Sequence, residues 1–374
     1  LFQNAPANRP KDGFSPIFYL LAHQEERIQL WGFGIGQETQ SAHDRDLWLN
    51  AKCSRIGINQ VSHDPSVRLG SIRSILELIG NTPLVQLKRI AKDVRSKVYA
   101  KLELLNPSGS VKDRIAKYMI ESAERKGILK KSSIIAEATT GNTGISFAMM
   151  AKLKGYRMIV VMPEGMSEER KRIIKLFGGE IIFTPGGESD VDKCLKKVAE
   201  IAKDDQRIWV AGQFTNKDNV LAHHQTGREI IQQVSGRIDA FVAGVGTGGT
   251  LTGVAEMLKK KHPRCRIVAV EPAECAILSG GSWGRHRIEG IGDGFIPSIL
   301  RRDLIDEVIA VRDSDAINWA RRLALEEGIF GGISSGANVY ASVQVAKKIS
   351  GGGSVVTIIP DSGMRYLSTD LAKF

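Results

Sequence analysis

The feature that most constrains this chain is a change of pattern near residue 71, after which short β-branched runs alternate with longer stretches of helical period. Candidate strands are Lys97 to Glu103, Ile134 to Glu137, Met158 to Met162, Glu180 to Phe183, Asp239 to Val245, Arg266 to Glu271, Val308 to Val311 and Ser354 to Ile359. Between them lie segments such as Asp113 to Arg125, where Ile115, Met119, Ile120 and Ala123 share one helix face. Strand and helix alternating in this way predict an α/β architecture, a parallel sheet covered by helices on both faces. Such sheets hold ligands just beyond the carboxyl ends of their strands. The loops that follow strands are therefore where chemistry is to be sought.

Composition removes several function classes. A chain of 374 residues with 42% hydrophobic and 25% charged residues is neither disordered nor collagen-like. Its longest apolar stretches, such as Phe14 to Ala22, are too short to cross a bilayer. Cys53, Cys194, Cys265 and Cys275 form no CxxC pair, so neither a disulfide framework nor a metal ligand set is expected, and a reducing cytoplasm is. Lys and Arg exceed Asp and Glu by 52 to 41, but the excess sits in clusters such as Lys130-Lys131, Arg170-Lys171-Arg172 and Lys259-Lys260-Lys261. These read as helix ends and outer faces, with no basic arm and no aromatic-interleaved stripe, which argues against a nucleic-acid partner. Residues 1–70 stand apart as an extension of unknown role: a Pro-rich start, glycines clustered in Trp31 to Gly36, and no signal-peptide pattern.

Four post-strand loops carry candidate chemistry. Glu103 to Arg114 ends a strand, turns at Asn106-Pro107-Ser108-Gly109 and opens a helix near Lys112. A lysine at the positive end of a helix dipole is pushed toward its free amine, as a Schiff-base lysine requires; the alternative is a surface lysine paired with Asp113 or a neighbouring acid. Glu137 to Gly144 opens another helix and offers Thr139, Thr140, Asn142 and Thr143 around two glycines, which suits an anion such as a carboxylate, although threonines also cap helices. Gly244 to Thr250 satisfies G-x-G-x-x-G, with Glu271 about twenty residues on, as in a nicotinamide-dependent oxidoreductase. Thr247 and Thr250 instead favour a single terminal phosphate. Near the C-terminus, Pro360-Asp361-Ser362-Gly363 sets the Ser362 hydroxyl at a strand end.

In this order, these four loops resemble the fold type II family of pyridoxal-phosphate enzymes, in its cysteine synthase and cystathionine β-synthase branch. The resemblance runs from about Ile75 to Leu371 and includes Ile79-Gly80-Asn81-Thr82-Pro83-Leu84, Gln213-Phe214, Glu289-Gly290-Ile291-Gly292, Gly332-Ile333-Ser334-Ser335-Gly336 and Arg365-Tyr366-Leu367-Ser368-Thr369. It implies two three-layer α/β domains, like those of the tryptophan synthase β chain. Residues 117–219 would form a smaller mobile domain carrying the carboxylate loop, and residues 71–116 with 220–374 a larger one carrying the phosphate loop.

The resemblance further implies that Lys112 is the catalytic residue and covalent anchor of pyridoxal 5'-phosphate, that Gly246, Thr247, Gly248, Gly249 and Thr250 hold its phosphate, that Asn142 bonds its ring hydroxyl and that Ser362 bonds its pyridine nitrogen. Thr139, Thr140, Asn142, Thr143 and Gln213 would hold the substrate carboxylate. The implied activity is β-replacement on O-acetylserine or O-phosphoserine with sulfide to give L-cysteine. Cystathionine β-synthase or diaminopropionate-type activity is the alternative. A homodimer and a serine acetyltransferase partner follow from the same family. The chain departs from the family pattern at Thr140, Lys217, Val220 and Glu188-Ser189-Asp190, and is one residue short before Thr226-Gly227. These departures bear on the substrate more than on the reaction. Upstream, Cys53 and His63 have a spacing that resembles the haem-ligand pair of animal cystathionine β-synthases, but their surroundings do not match, and residues 1–70 are expected to be dispensable for β-replacement.

Overall fold

Ala240–Gly244 has no polar face to give to water and Ile134–Ala138 only the buried Glu137, so each needs cover on both sides, and each lies inside a sheet. The computed structural model describes residues 73–373; Cys53, His63 and the N-terminal extension lie outside the described residues. In chain order the strands are β1 (Leu84–Leu87), β2 (Lys97–Leu102), β3 (Ile134–Ala138), β4 (Arg157–Pro163), β5 (Glu180–Thr184), β6 (Ile208–Val210), β7 (Ala240–Gly244), β8 (Arg266–Pro272), β9 (Glu307–Val311) and β10 (Ser354–Ile359). The helices are α1 (Lys112–Arg125), α2 (Asn142–Lys154), α3 (Glu168–Leu176), α4 (Val191–Asp204), α5 (Asp218–Gln233), α6 (Gly249–Lys261), α7 (Asp313–Glu327) and α8 (Ile333–Lys348).

Two sheets result. One has six strands in the order β1-β2-β10-β7-β8-β9, and only β1 runs antiparallel to its neighbour. The other, wholly parallel, has the order β5-β4-β3-β6 and comes entirely from residues 134–210. The α/β architecture with parallel sheets is thus as the alternating pattern predicts. Two strands escape that pattern. β1 is four residues long and follows Pro83 at a sheet edge, and β6 is three residues at the edge of the other sheet, too short for either to show a period. One charge cluster also reads wrongly from sequence: Arg170, expected on an outer face, is 1% exposed and points inward.

The helix that carries Lys112 is held by buried charge. Arg114 Nε lies 2.6 Å from Glu103 and its Nη2 lies 2.7 Å from Glu229 on α5; Lys101 on β2 also reaches Glu229 at 2.7 Å. Burial pushes the Glu229 carboxyl up, yet Arg114, Lys101 and the Asn81 amide outweigh it and hold the group at about 2. A depressed carboxyl of this kind contributes stability that is complete above the ordinary value of 4.5 and is lost as the pH falls toward about 2. Arg114→Ala leaves the buried Glu103 without a cation and Glu229 with Lys101 alone, so it is expected to cost about 3–5 kcal/mol in a denaturant titration at neutral pH. The loss should shrink in acid, where Glu229 takes a proton. A variant within about 0.5 kcal/mol of wild type would show the network to be ornamental.

Candidate active site

All four post-strand loops lie at the carboxyl ends of their strands, and backbone bonds bring two of them side by side. Val111 N donates to Pro360 O at 2.8 Å, Ser362 N donates to Gly109 O at 3.2 Å, and Ser110 forms a bridge with Asp361. The exit of β10 is therefore laid along the turn that opens α1, with Ser362 near Lys112. Ser362 Oγ accepts from Met364 N at 3.3 Å, which leaves its hydroxyl hydrogen to give to an acceptor such as a ring nitrogen.

Lys112 is the first residue of α1. Burial lowers its pKa, while the carboxylates of Asp293, Asp361 and Glu188 pull the other way without reversing the shift. Sequence predicts a helix-end effect; the leading cause here is desolvation. Asp113 is not its partner, because that carboxylate is taken by Ser108 and by Ser146 at 2.6 Å. Residue 112 thus favours a free amine inside a pocket of acids.

The carboxylate loop follows β3. Gly141 (φ +142°) turns the chain, and the first amides of α2, which have no partners within the helix, face outward from its N-terminus. Thr139 Oγ1 accepts from Gly141 N at 2.9 Å, and the Thr140 hydroxyl faces Glu188. Thr143 and Gln213 meet each other: the threonine hydroxyl donates to Gln213 Oε1 at 2.6 Å, and Gln213 Nε2 donates to Ala138 O at 2.7 Å. Asn142 Nδ2 donates to Asp361 at 2.7 Å and its Oδ1 accepts from Arg365, so one Nδ2 hydrogen remains for a ligand. Beneath the loop lies Glu137, pushed up to about 8 by burial against the backbone amides of Gln213, Gly212 and Ala138.

The glycine loop follows β7 and ends at α6. A Cβ at Gly249 would stand 1.9 Å from Asn219 Oδ1, and Gly248 has φ +81°, so the backbone is bare where its amides point outward. A bare backbone cradle at a helix start fits a phosphate. The rival dinucleotide reading meets a direct obstacle: the Glu271 carboxylate accepts from the amides of Leu278 at 2.7 Å and Ser279 at 3.1 Å and from the Ser279 hydroxyl. It is buried and committed to a local loop, unavailable to a ribose. The amine-favouring Lys112, the phosphate cradle and the uncommitted Ser362 hydrogen all suit pyridoxal phosphate. Among the described residues no cluster of His, Cys, Asp and Glu is arranged to hold a metal ion, and no helix is long and apolar enough to cross a membrane.

Sequence reasoning misses the acids and bases between these loops. Asp361 is fully buried, accepts from Tyr366 Oη at 2.7 Å and lies 3.6 Å from Arg170, which also pairs with Glu289. Glu188 accepts from Gly290 N at 2.7 Å and is raised by burial. Asp293 is pushed up to about 8 by burial and by Glu188, with Lys112 pulling against both. The available signals were the departures at Glu188-Ser189-Asp190 and the acid directly after Glu289-Gly290-Ile291-Gly292.

Comparison with known proteins places this geometry among relatives. A family model described as pyridoxal-phosphate dependent enzyme matches residues 75–361. A cysteine synthase of Staphylococcus aureus is 47% identical over 305 residues, covering 81% of this chain and 98% of that protein. Among solved structures, a cysteine synthase of Entamoeba histolytica superposes with a TM-score of 0.78 at 41% identity, over 84% of this chain and 95% of the other. An O-acetylserine dependent cystathionine β-synthase of Helicobacter pylori gives 0.78 at 37% identity, over 81% and 99%.

Proposed function

Because the chain belongs to the family of pyridoxal-phosphate dependent enzymes, we propose that it catalyses β-replacement on an activated L-serine, O-acetylserine or O-phosphoserine, with sulfide as nucleophile and L-cysteine as product. The observation that carries this reading is the convergence on one site of an amine-favouring Lys112 with two ligand loops at helix starts. When bound, pyridoxal phosphate supplies the electron sink that lets bonds at the substrate α-carbon break heterolytically. Lys112 would hold the cofactor's aldehyde carbon through its amine and, when free, would take the proton from the substrate α-carbon. Gly246 to Thr250 would hold the phosphate, Asn142 the ring hydroxyl and Ser362 the ring nitrogen. Thr139, Thr140, Asn142, Thr143 and Gln213 form the carboxylate site, where the Thr143–Gln213 bond opens or turns to admit the substrate.

We take residues 117–219 as the smaller, mobile domain and residues 71–116 with 220–374 as the larger, a division supported by the four-stranded sheet coming entirely from 134–210. A homodimer that receives a serine acetyltransferase in the cytoplasm completes the reading. The free thiols of the buried Cys194, Cys265 and Cys275 agree with a reducing compartment, and the exposed Ile75, Leu78 and Leu105 with a subunit contact.

The test is turnover of the protein with pyridoxal phosphate, each activated serine in turn, and sulfide, homocysteine or an amine as acceptor. Cysteine formed from sulfide at the highest kcat/KM is expected. Cystathionine formed faster from homocysteine would replace cysteine synthesis by its sister activity. Ser362→Ala should retain the cofactor and slow turnover only a few-fold, since one neutral hydrogen bond is worth about 0.5–1.5 kcal/mol. Ser362→Asp should cost far more, because a carboxylate favours a protonated ring nitrogen. Equal activity of Ser362→Asp and wild type would remove Ser362 from the ring nitrogen.

A further inference from the structure

Helix α5 touches the glycine loop and its helix through two side chains one turn apart, Asn219 and His223, neither of which has a part in the reaction described above. Asn219 is fully buried. Its Nδ2 donates to Gln213 O at 2.8 Å and to Thr247 Oγ1 at 3.1 Å. Because a backbone carbonyl only accepts, the orientation of this amide is fixed. Its Oδ1 has no donor and lies against Gly249, where any side chain would collide with it. His223, 1% exposed, sets Nε2 3.1 Å from Thr250 Oγ1 and Nδ1 3.2 Å from Thr226 Oγ1.

The count of hydrogens gives the Asn219 contact a direction. A threonine hydroxyl has one hydrogen to donate and two lone pairs to accept with. Thr247 Oγ1 already accepts twice, from Asn219 and from Gly249 N at 3.4 Å, so its own hydrogen is uncommitted. Burial and the nearby Arg114 guanidinium push the His223 ring well below its ordinary range and so favour the neutral form, with one nitrogen protonated. The two contacts allow either tautomer, and the one the inference assigns has Thr226 donating to Nδ1, so that the hydrogen sits on Nε2 and points at Thr250, whose hydroxyl hydrogen is then also uncommitted. A phosphate dianion presents only acceptors to such a loop. The same Asn219 amide holds the Gln213 carbonyl, and Gln213 in turn receives the Thr143 hydroxyl, so one side chain ties the phosphate loop to the carboxylate loop.

We propose that Asn219 and His223 are positioning residues that hold Thr247 and Thr250 as hydrogen-bond acceptors, so that both threonine hydroxyls donate to the cofactor phosphate. The inference rests on the proposed function, and the experiment separates the two. Holoenzyme is resolved to apoenzyme, and affinity is measured for pyridoxal phosphate and for pyridoxal, which lacks the phosphate, in wild type, Asn219→Asp, His223→Gln and His223→Asn. Glutamine returns an amide nitrogen near the place of Nε2, whereas asparagine reaches only as far as Nδ1. In wild type and His223→Gln the preference for pyridoxal phosphate over pyridoxal should be the same. In Asn219→Asp and His223→Asn it should fall about tenfold with pyridoxal affinity unchanged. A preference that stays at the wild-type value in both of these variants overturns the inference, as does a glutamine variant that falls as far as asparagine. Equal weakening of both ligands assigns the pair a merely structural role and also overturns it. Circular dichroism identifies any variant that does not fold, in which case the other position decides. A wild type that binds pyridoxal phosphate no better than pyridoxal overturns the proposed function and the inference with it.

Discussion

Lys112→Ala is expected to abolish turnover, by at least about 10³-fold, while leaving a folded protein that holds pyridoxal phosphate only without a covalent link. Among the described residues no other amine is seen placed to do either of its jobs. Lys101, fully buried on β2, donates to Thr82 O at 2.6 Å and to Gln233 at 2.8 Å and pairs with Glu229, so it is anchored under α5. Added primary amines should restore a little turnover, since a free base can reach the position the side chain leaves. Circular dichroism should be native, because residue 112 starts its helix and contributes little to the core. Retention of even a tenth of wild-type turnover would assign the proton transfer to another group.

Gly141→Ala is expected to be the most damaging single-methyl change in the carboxylate loop. Its φ of +142° lies in a region that L side chains rarely adopt, and a Cβ there would stand 2.2 Å from Arg170 Cδ. Arg170 cannot withdraw: Nη2 donates to Tyr366 Oη at 2.7 Å, the guanidinium pairs with Glu289 and lies 3.6 Å from Asp361, and its Cζ sits 4.7 Å from the Tyr366 ring centre. Backbone strain of about 1–3 kcal/mol and an overpacking cost of similar size add at this position. The expected result is a loss of about 2–6 kcal/mol in denaturant unfolding, together with a raised KM for the activated serine, because the amides that open α2 are displaced. Unchanged stability and unchanged KM would mean that the loop does not bind the carboxylate.

Local chemistry made much of this molecule readable before its structure. β7 is apolar throughout and β3 is apolar but for Glu137, so their place inside parallel sheets follows largely from residue type, and each is followed by a cluster of glycines and hydroxyls. The lysine at the start of α1 is visible for the same reason. The electrostatics around it are not. Glu188, Asp293 and Asp361 reach Lys112 from three separate stretches of chain, and no window on the sequence contains that encounter. Arg170 illustrates the same limit from the other side, since it sits in a basic triplet typical of a solvated helix face yet is fully buried among partners more than a hundred residues away. Thr143 and Gln213 were legible as ligand groups, but not their bond to each other, which only the tertiary arrangement creates. Asn219 and His223 carried no local signal, because their importance comes from the threonines across the helix interface.

Borohydride reduction of the cofactor-loaded protein, followed by peptide mapping, tests the central claim most directly. The account predicts that the visible absorption of the loaded protein is bleached and that the cofactor becomes fixed irreversibly to the one peptide that contains Lys112. Fixation to a different lysine, or a loaded protein with no reducible link at all, would contradict it.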